Sequence, residues 1–197
     1  MIKRALDVVA SVCALVVIGP VLLLLASLVV LDSGRPAFYL GWRAGKDGVP
    51  FRIIKLRTMV VDAEQRGGAE TPADDPRITR VGCFLRRYKL DELPQLVNVL
   101  VGDMSLVGPR PEVLHEVRRY NERERALLSV RPGLTDWASI KFRHEGEILR
   151  GALDPGKVYH ERIQPEKIRL GLKYVQERSM LVDLVIIVST LKAIVAD

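Results

Sequence analysis

Asp91 and Glu92 are adjacent carboxylates in a stretch rich in cations, with Arg77, Arg80, Arg86, Arg87 and Lys89 before them and Arg110 after. These residue types can do phosphate chemistry. Arginine guanidinium groups fit phosphate oxygens in a bidentate way. A carboxylate can help hold a hard divalent cation such as Mg²⁺, which usually binds through one or two carboxylates plus substrate phosphates. It can also attack phosphorus and form an acyl phosphate. Asp91 as nucleophile, Mg²⁺ on Asp91 and Glu92, and arginines as clamps would make a phosphoryl-transfer site. The same pair also fits a structural role. An aspartate at a helix start accepts backbone N–H bonds and suits the positive end of the dipole, and Glu92 would then be an exposed first-turn acid.

Several elements must position these groups. Leu93, Leu96, Val97 and Leu100 have helical spacing, and Pro94 suits only a first turn, so the acid pair is predicted at a helix N-terminus. Upstream, Ala37 to Arg43 and Val49 to Met59 read as a β-hairpin around Gly45-Lys46-Asp47-Gly48, where Asp-Gly is a turn signal. Lys55 and Arg57, two apart, would share one face of the return strand, as anion ligands or as a solvated face. Val60 to Gly82 begins as a short helix and becomes a polar loop long enough to be functional. Met104 to Val107 is extended. Gly108-Pro109-Arg110-Pro111 is a rigid bend, after which a helix is predicted from about Pro111, with Val113, Val117 and Tyr120 as its apolar stripe. A turn-rich segment carrying Lys141 and Arg143 follows. Two helices are predicted at the end, Pro165 to Arg178 and Met180 to Ala196. The last is strongly apolar, with Ser179, Asp183 and Thr190 on one narrow stripe, and suits either a membrane interface or a core.

Val8 to Leu31 carries no charge, and its 24 residues exceed the about 20 that cross a bilayer as a helix. A signal peptide fits less well, because its apolar region runs only about 7–15 residues and no small-x-small cleavage site follows. A single-pass anchor remains open. Two features argue against a straight span and leave a kinked span ahead of a re-entrant segment: Gly19-Pro20 interrupts the run, and cations flank both ends, Lys3 and Arg4 before it and Arg35, Arg43 and Lys46 after it. Positive flanks prefer the cytoplasmic side.

The 197 residues carry 30 Lys and Arg against 24 Asp and Glu, a net charge of +6, which favours an anionic partner. Nucleic acid is the weaker candidate, because aromatic residues are few and do not interleave with the cations. Cys13 and Cys83 suggest neither a disulfide framework nor a metal cage. His115, His144 and His160 are scattered and are assigned no metal or catalytic role.

Taken together, "KRALDVV", Gly19-Pro20, "GKDGVPFRIIKLRTM", "DPRITRVGCFLRRYKLDELPQLVNVLVGDMSLVGPRPE" and "RPGLTDWASIKFR" resemble the bacterial sugar transferase family, the monotopic phosphoglycosyl transferases, in motif order over most of the chain. The length is similar to the family's small form. The resemblance implies transfer of a phospho-sugar from a UDP-sugar to undecaprenyl phosphate with release of UMP, by a ping-pong route. Asp91 would be the nucleophile, and Glu92 would activate the lipid phosphate or position the metal, Mg²⁺. Arg86, Arg110 and Lys55, with Arg57 and Arg143, would bind phosphate. The implied place is the cytoplasmic face of the bacterial inner membrane, with membrane lipid as a further partner. The expected fold is α+β: a mostly helical compact core with a small hairpin (residues 34–197), preceded by a re-entrant helix-break-helix over 1–33 with Gly19 and Pro20 at the break. Departures from the family pattern are Lys89 where a small hydroxyl residue is usual, Leu40-Gly41-Trp42 in place of a more polar strand, and Gly19-Pro20 for serine-proline. The sugar is not specified, a homo-oligomer stays open, and the rival reading is a membrane-tethered binding protein whose basic face recruits an anionic partner.

Overall fold

The computed structural model describes residues 2–68 and 70–195. It is mostly helical, with two small sheets and one long apolar helix at the N-terminus. That helix, α1 (Ile2–Ser33), is continuous. The two expected arms are therefore one helix, roughly 48 Å long at 1.5 Å per residue. Pro20 lies inside it; it deletes one backbone hydrogen bond of the ladder, and the contacts at both ends of the helix outlast that loss.

Both ends of α1 are fixed to the rest of the chain. Near its start, Lys3 pairs with Asp183 at 2.6 Å. Arg4 donates to the carbonyls of Val99 and Leu100. Buried Asp7 accepts from Ser105 Oγ at 2.8 Å and from the Leu106 amide at 3.2 Å. Near its end, Leu25 and Val29 pack with Leu56 and Leu85, with Leu90 against the same cluster. Asp32 accepts the Val81 amide at 3.0 Å. Between these anchors α1 turns apolar side chains outward; Val16 and Val17 are 73% and 76% exposed.

The hairpin is formed by β1 (Phe38–Ala44) and β2 (Pro50–Leu56), antiparallel, with Tyr39 opposite Lys55 and Trp42 opposite Arg52. Phe51 and Ile53 face the core with Val99 and Met104. Side chains alternate along a strand, so Lys55 extends from the same inward face. After a short helical turn, α2 (Ala63–Arg66), comes α3 (Arg80–Arg87). Thr79 caps α3 by accepting the Gly82 amide at 2.9 Å. A Cβ on Gly82 would lie 2.0 Å from the Thr58 carbonyl oxygen, so only glycine lets this helix sit so close to the end of the hairpin.

A 3₁₀ turn, Leu90–Glu92, precedes α4 (Gln95–Val101). Buried Asn98 stitches α4 to β2, accepting the Ile54 amide at 2.9 Å and donating to the Arg52 carbonyl at 2.8 Å. Arg4 covers carbonyls in the last turn of α4, a favourable place for a cation. Two short parallel strands follow, β3 (Ser105–Val107) and β4 (Gly133–Thr135); the second falls in what the sequence reads as turns. A Cβ on Gly133 would lie 2.1 Å from the Gly108 nitrogen. The Gly133 amide donates to the Pro109 carbonyl at 2.9 Å, fixing the base of the Pro-Arg-Pro bend.

The helix expected from Pro111 is a single turn, Leu114–Val117. Asn121 and Glu124 then exchange side-chain and backbone hydrogen bonds at 3.0 Å, a reciprocal cap that starts a separate 3₁₀ segment, Glu124–Ser129. Tyr120 is still buried, with Leu127 and Leu172. The two final helices run Gln164–Glu177 and Met180–Val195; the expected end at Ala196 lies outside the described residues. On the last helix Asp183 and Thr190 face inward. Asp183 meets Tyr174 at 2.8 Å and Thr190 meets Thr135 at 2.7 Å. Leu181, Leu184, Val185, Val188 and Leu191 point out and are exposed.

Candidate active site

The acid pair lies on the 3₁₀ turn, and Lys89 enters it in the left-handed region at φ 57°, ψ 23°. That backbone costs a non-glycine residue about 1–2 kcal/mol, and such outliers persist where the surroundings impose them. Leu90 packs against α1, beside Leu25 and Val29, so the next residue, Asp91, stands at the junction of helix and core.

Glu92 is clamped. Lys55 Nζ donates to Oε1 at 2.9 Å, and Arg110 donates to both carboxylate oxygens, at 3.1 Å to Oε2. Burial pushes the Glu92 carboxyl up, but Arg110 and then Lys55 outweigh it and hold the group well below the usual range. In return, Glu92 raises the Arg110 pKa. Burial lowers Lys55, with Glu92 the chief opposing charge. Glu92 is thus a fixed anion that orients two cations.

Asp91 is in the opposite condition. It is buried at 8% exposure, its Oδ1 has no hydrogen-bond partner, and it caps no helix among the described residues. The capping reading is therefore corrected. Burial raises its pKa, the neighbouring Glu92 charge raises it further, and Lys55, Arg86 and Lys89 pull it down. An unsatisfied buried carboxylate is costly, and strongly perturbed groups of this kind concentrate at functional sites.

Arg86 donates through Nε to Thr58 Oγ1 at 2.8 Å. Its terminal nitrogens have no hydrogen bond among the described residues, and burial lowers its pKa, with Asp91 opposing. The Lys89 ammonium also makes no hydrogen bond among the described residues. Burial lowers its pKa, while Glu92 and Asp91 act in the other direction. Lys89 belongs to this site although the motif alone did not place it there: the left-handed turn aims it, and only its positive charge next to "LDEL" hinted at a role.

Of the two remaining expected ligands, Arg57 lies elsewhere. Arg57 is buried, and its guanidinium is spent on carbonyls: Pro36 at 2.7 Å, Met59 at 2.9 Å, Ser33 at 3.1 Å, and Gly34. It closes the end of α1 instead of facing the acid pair. The strand parity shared with Lys55 is right, but the strand stops at Leu56. Arg143 is buried beyond the helix Trp137–Lys141, on a different segment from the pair. Behind Arg110 lie two water-sized cavities of about 30 and 20 Å³, both bordered by Pro109, Arg110, Glu112, Tyr120 and Leu127.

No group of three or more potential ligands could cage a metal among the described residues. Both oxygens of Glu92, the other expected metal ligand, already accept from cations. The unpartnered Asp91 Oδ1 fits a divalent ion that takes its other oxygens from a substrate.

Asp91 is thus a buried carboxylate with no partner at Oδ1, set among cations beside a long apolar helix. The chain matches the sequence model of the bacterial sugar transferase family over residues 1–197. It is 37% identical over 198 residues to the UDP-glucose:undecaprenyl-phosphate glucose-1-phosphate transferase of Escherichia coli (strain K12), covering 96% of this chain and 39% of that protein. It is 39% identical over 195 residues to the transferase of the same name from Caulobacter vibrioides, covering 98% and 69%. It is 35% identical to the UDP-N-acetylgalactosamine-undecaprenyl-phosphate N-acetylgalactosaminephosphotransferase of Aeromonas hydrophila, covering 98% and 43%. This chain belongs to the bacterial sugar transferase family; it spans from about two fifths to two thirds of the length of these relatives.

Proposed function

We propose that this protein is a phosphoglycosyl transferase that moves a phospho-sugar from a UDP-sugar to undecaprenyl phosphate through a covalent intermediate on Asp91. The observation that carries this reading is the Asp91 carboxylate: buried, without a partner at Oδ1, and acted on by Lys55, Arg86 and Lys89. In the first half-reaction an Asp91 oxygen attacks the β-phosphorus of the donor. The new O–P bond forms as the bond from that phosphorus to the bridging oxygen breaks, and UMP leaves with the electron pair. In the second, a phosphate oxygen of the lipid attacks the same phosphorus and Asp91 departs as a carboxylate, leaving a diphosphate between lipid and sugar.

Four cations, Lys55, Arg86, Lys89 and Arg110, face the two carboxylates. That surplus of two positive charges matches the two negative charges of a sugar-nucleotide diphosphate. The terminal nitrogens of Arg86 and the Lys89 ammonium are the donors still available for phosphate. Arg110 and Lys55 hold the Glu92 carboxyl low in pKa, and its part in this reading is to keep those two cations in place. Mg²⁺, held by Asp91 together with the donor's diphosphate oxygens, would supply further charge neutralisation.

A site for a polyprenyl phosphate must lie where lipid meets water. In our reading α1 lies in one leaflet with both of its ends on the same side, the cytoplasmic face of the inner membrane. Support comes from its two anchors, Lys3, Arg4 and Asp7 at one end and Asp32 with Arg57 at the other, all on one body. The outward apolar side of the last helix lends further support. Cysteine probes placed before residue 8 and after residue 32 should both report the cytoplasm, and labelling from opposite sides would refute this topology.

The chemical test incubates purified protein with radiolabelled UDP-sugars. The expected result is labelled protein that is absent in Asp91→Asn, and UMP release with undecaprenyl phosphate. Labelled Asp91→Asn, or no UMP from any UDP-sugar in a broad panel, would sink the proposal and favour a binding protein.

A further inference from the structure

The hairpin has two faces, and only one is explained by the fold. On the inward face Phe51 and Ile53 pack into the core and Lys55 reaches the acid pair. The other face presents Phe38, Leu40 and Trp42, which are 42%, 49% and 51% exposed. Their cross-strand partners are Leu56, Ile54 and Arg52. A row of large apolar side chains on the open side of a two-stranded sheet is unusual, because solvated sheet faces are polar. Its composition is also specific. The Arg52 guanidinium carbon lies over the Trp42 ring at 4.9 Å from the centroid, so the row ends in an amphipathic pair with an apolar body and a charged tip. Arg35 before the hairpin and Lys46 at its turn are exposed as well.

The position of this face limits what can cover it. Leu56 is on it and is 1% exposed because Leu25 and Val29 of α1 sit upon it. The helix therefore lies on one end of this face, and Leu40, Ile54 and Trp42 continue along the hairpin from beneath it. A helix with its side chains is about 10 Å thick. If the outward side of α1 lies among acyl chains, the exposed part of the hairpin face lies about one helix diameter nearer the water. That is headgroup depth, where tryptophan and arginine concentrate. A second copy of the chain is a poorer occupant. Three half-exposed side chains offer roughly 300 Å², against the about 800 Å² per partner of a stable interface.

We propose that the outer face of the hairpin is a second membrane contact, with Leu40 and Trp42 at the boundary of headgroups and acyl chains and Arg52 on lipid phosphate. This rests on the reading of α1 as lipid-embedded. The contact fixes the rotation of the core about the α1 axis. Together with the outward side of the last helix it thereby sets which way the Asp91 turn faces, a constraint that α1 alone does not supply.

The test uses the full chain in nanodiscs of phosphatidylcholine and phosphatidylglycerol. The chain has two tryptophans, so Trp137→Phe leaves Trp42 as the only emitter. Lipids brominated at shallow acyl positions should take away most of its emission, and deeply brominated lipids much less. Because Trp137 packs near Val107 and Tyr174, an independent measurement uses spin labels at Leu40→Cys and, as reference, Val17→Cys, with Cys13 and Cys83 replaced by serine. The Leu40 label should be shallow and the Val17 label deep by oxygen and nickel-chelate accessibility. A water-exposed Leu40 label beside an embedded Val17 label overturns the hairpin contact and leaves α1 embedded. A water-exposed Val17 label overturns both. Blue-shifted Trp42 emission without bromine quenching would mean a protein partner and also overturns the proposal. None of these readouts depends on turnover, so loss of UMP formation would strike the chemistry alone.

Discussion

Removing either side of the Glu92–Arg110 clamp should show that it is one unit. Losing one partner of a fully buried ion pair costs about 3–5 kcal/mol, and an exposed pair is worth about 0–1 kcal/mol. Here the side chains are 13% and 30% exposed, so the pair lies nearer the buried limit. Arg110→Ala leaves Glu92 with Lys55 at 2.9 Å and should cost about 2 kcal/mol, because one charge partner survives. Glu92→Gln leaves Lys55 and Arg110 facing each other without their shared anion and should cost about 3 kcal/mol. The double variant should cost about 3 kcal/mol as well, instead of the sum of about 5, a coupling of about 2 kcal/mol. For a chain of this size each kcal/mol moves the midpoint by about 2–4 °C, so the single variants should melt about 4–12 °C below the parent. Thermal unfolding in detergent, followed by circular dichroism and repeated at several scan rates, measures this. Additive losses would refute the shared clamp. So would an Arg110→Ala protein with unchanged stability.

The Glu92 carboxyl is held well below the usual range, so its stabilisation is complete above the unfolded glutamate pKa and fades as pH falls below it; an acid titration of unfolding should lose this component in Glu92→Gln. Asp91 has its pKa raised, so at neutral pH its charge opposes folding. Asp91→Asn should therefore melt at or above the parent temperature while forming no covalent adduct, and a large drop in melting temperature would contradict the burial argument. Lys89 lowers the Asp91 pKa, so Lys89→Met should move the acid limb of the pH–rate profile to higher pH, and an unmoved limb would remove Lys89 from the site. Arg57→Ala strands carbonyls at the end of α1 and should cost about 2–4 kcal/mol; the residual folded enzyme should keep its KM for the donor, which a phosphate-binding Arg57 would not allow.

The legible parts of the site were those written in consecutive residues. Asp91 and Glu92 follow a helix-start pattern, and the rigid Pro-Arg-Pro bend marks Arg110. Strand parity places Lys55 inward, and it reaches Glu92. The illegible parts depend on distant chain. Arg57 has the same parity as Lys55, but its acceptors are the end of α1, more than twenty residues earlier. Lys89 is aimed by a positive φ that lysine gives no reason to expect. The parallel pair of β3 and β4 is held by three-residue strands and a glycine contact, too short for any period to show. After Pro111 the apolar spacing found the buried Tyr120 but not the chain break before it, because the Asn121–Glu124 cap outcompetes helix continuation.

The ion pair between Lys3 and Asp183 joins residues 180 apart, which sets an order of assembly. The ribosome makes α1 well before the helix that carries Asp183. At about 5–20 residues per second, roughly 10–40 s separate the two. Through that interval the nascent α1 lacks Asp183, while its other partners, from Leu56 to Leu106, are made in the first part of it. With α1 in lipid, as proposed above, the helix can be seated in the bilayer before its contact with Asp183 closes.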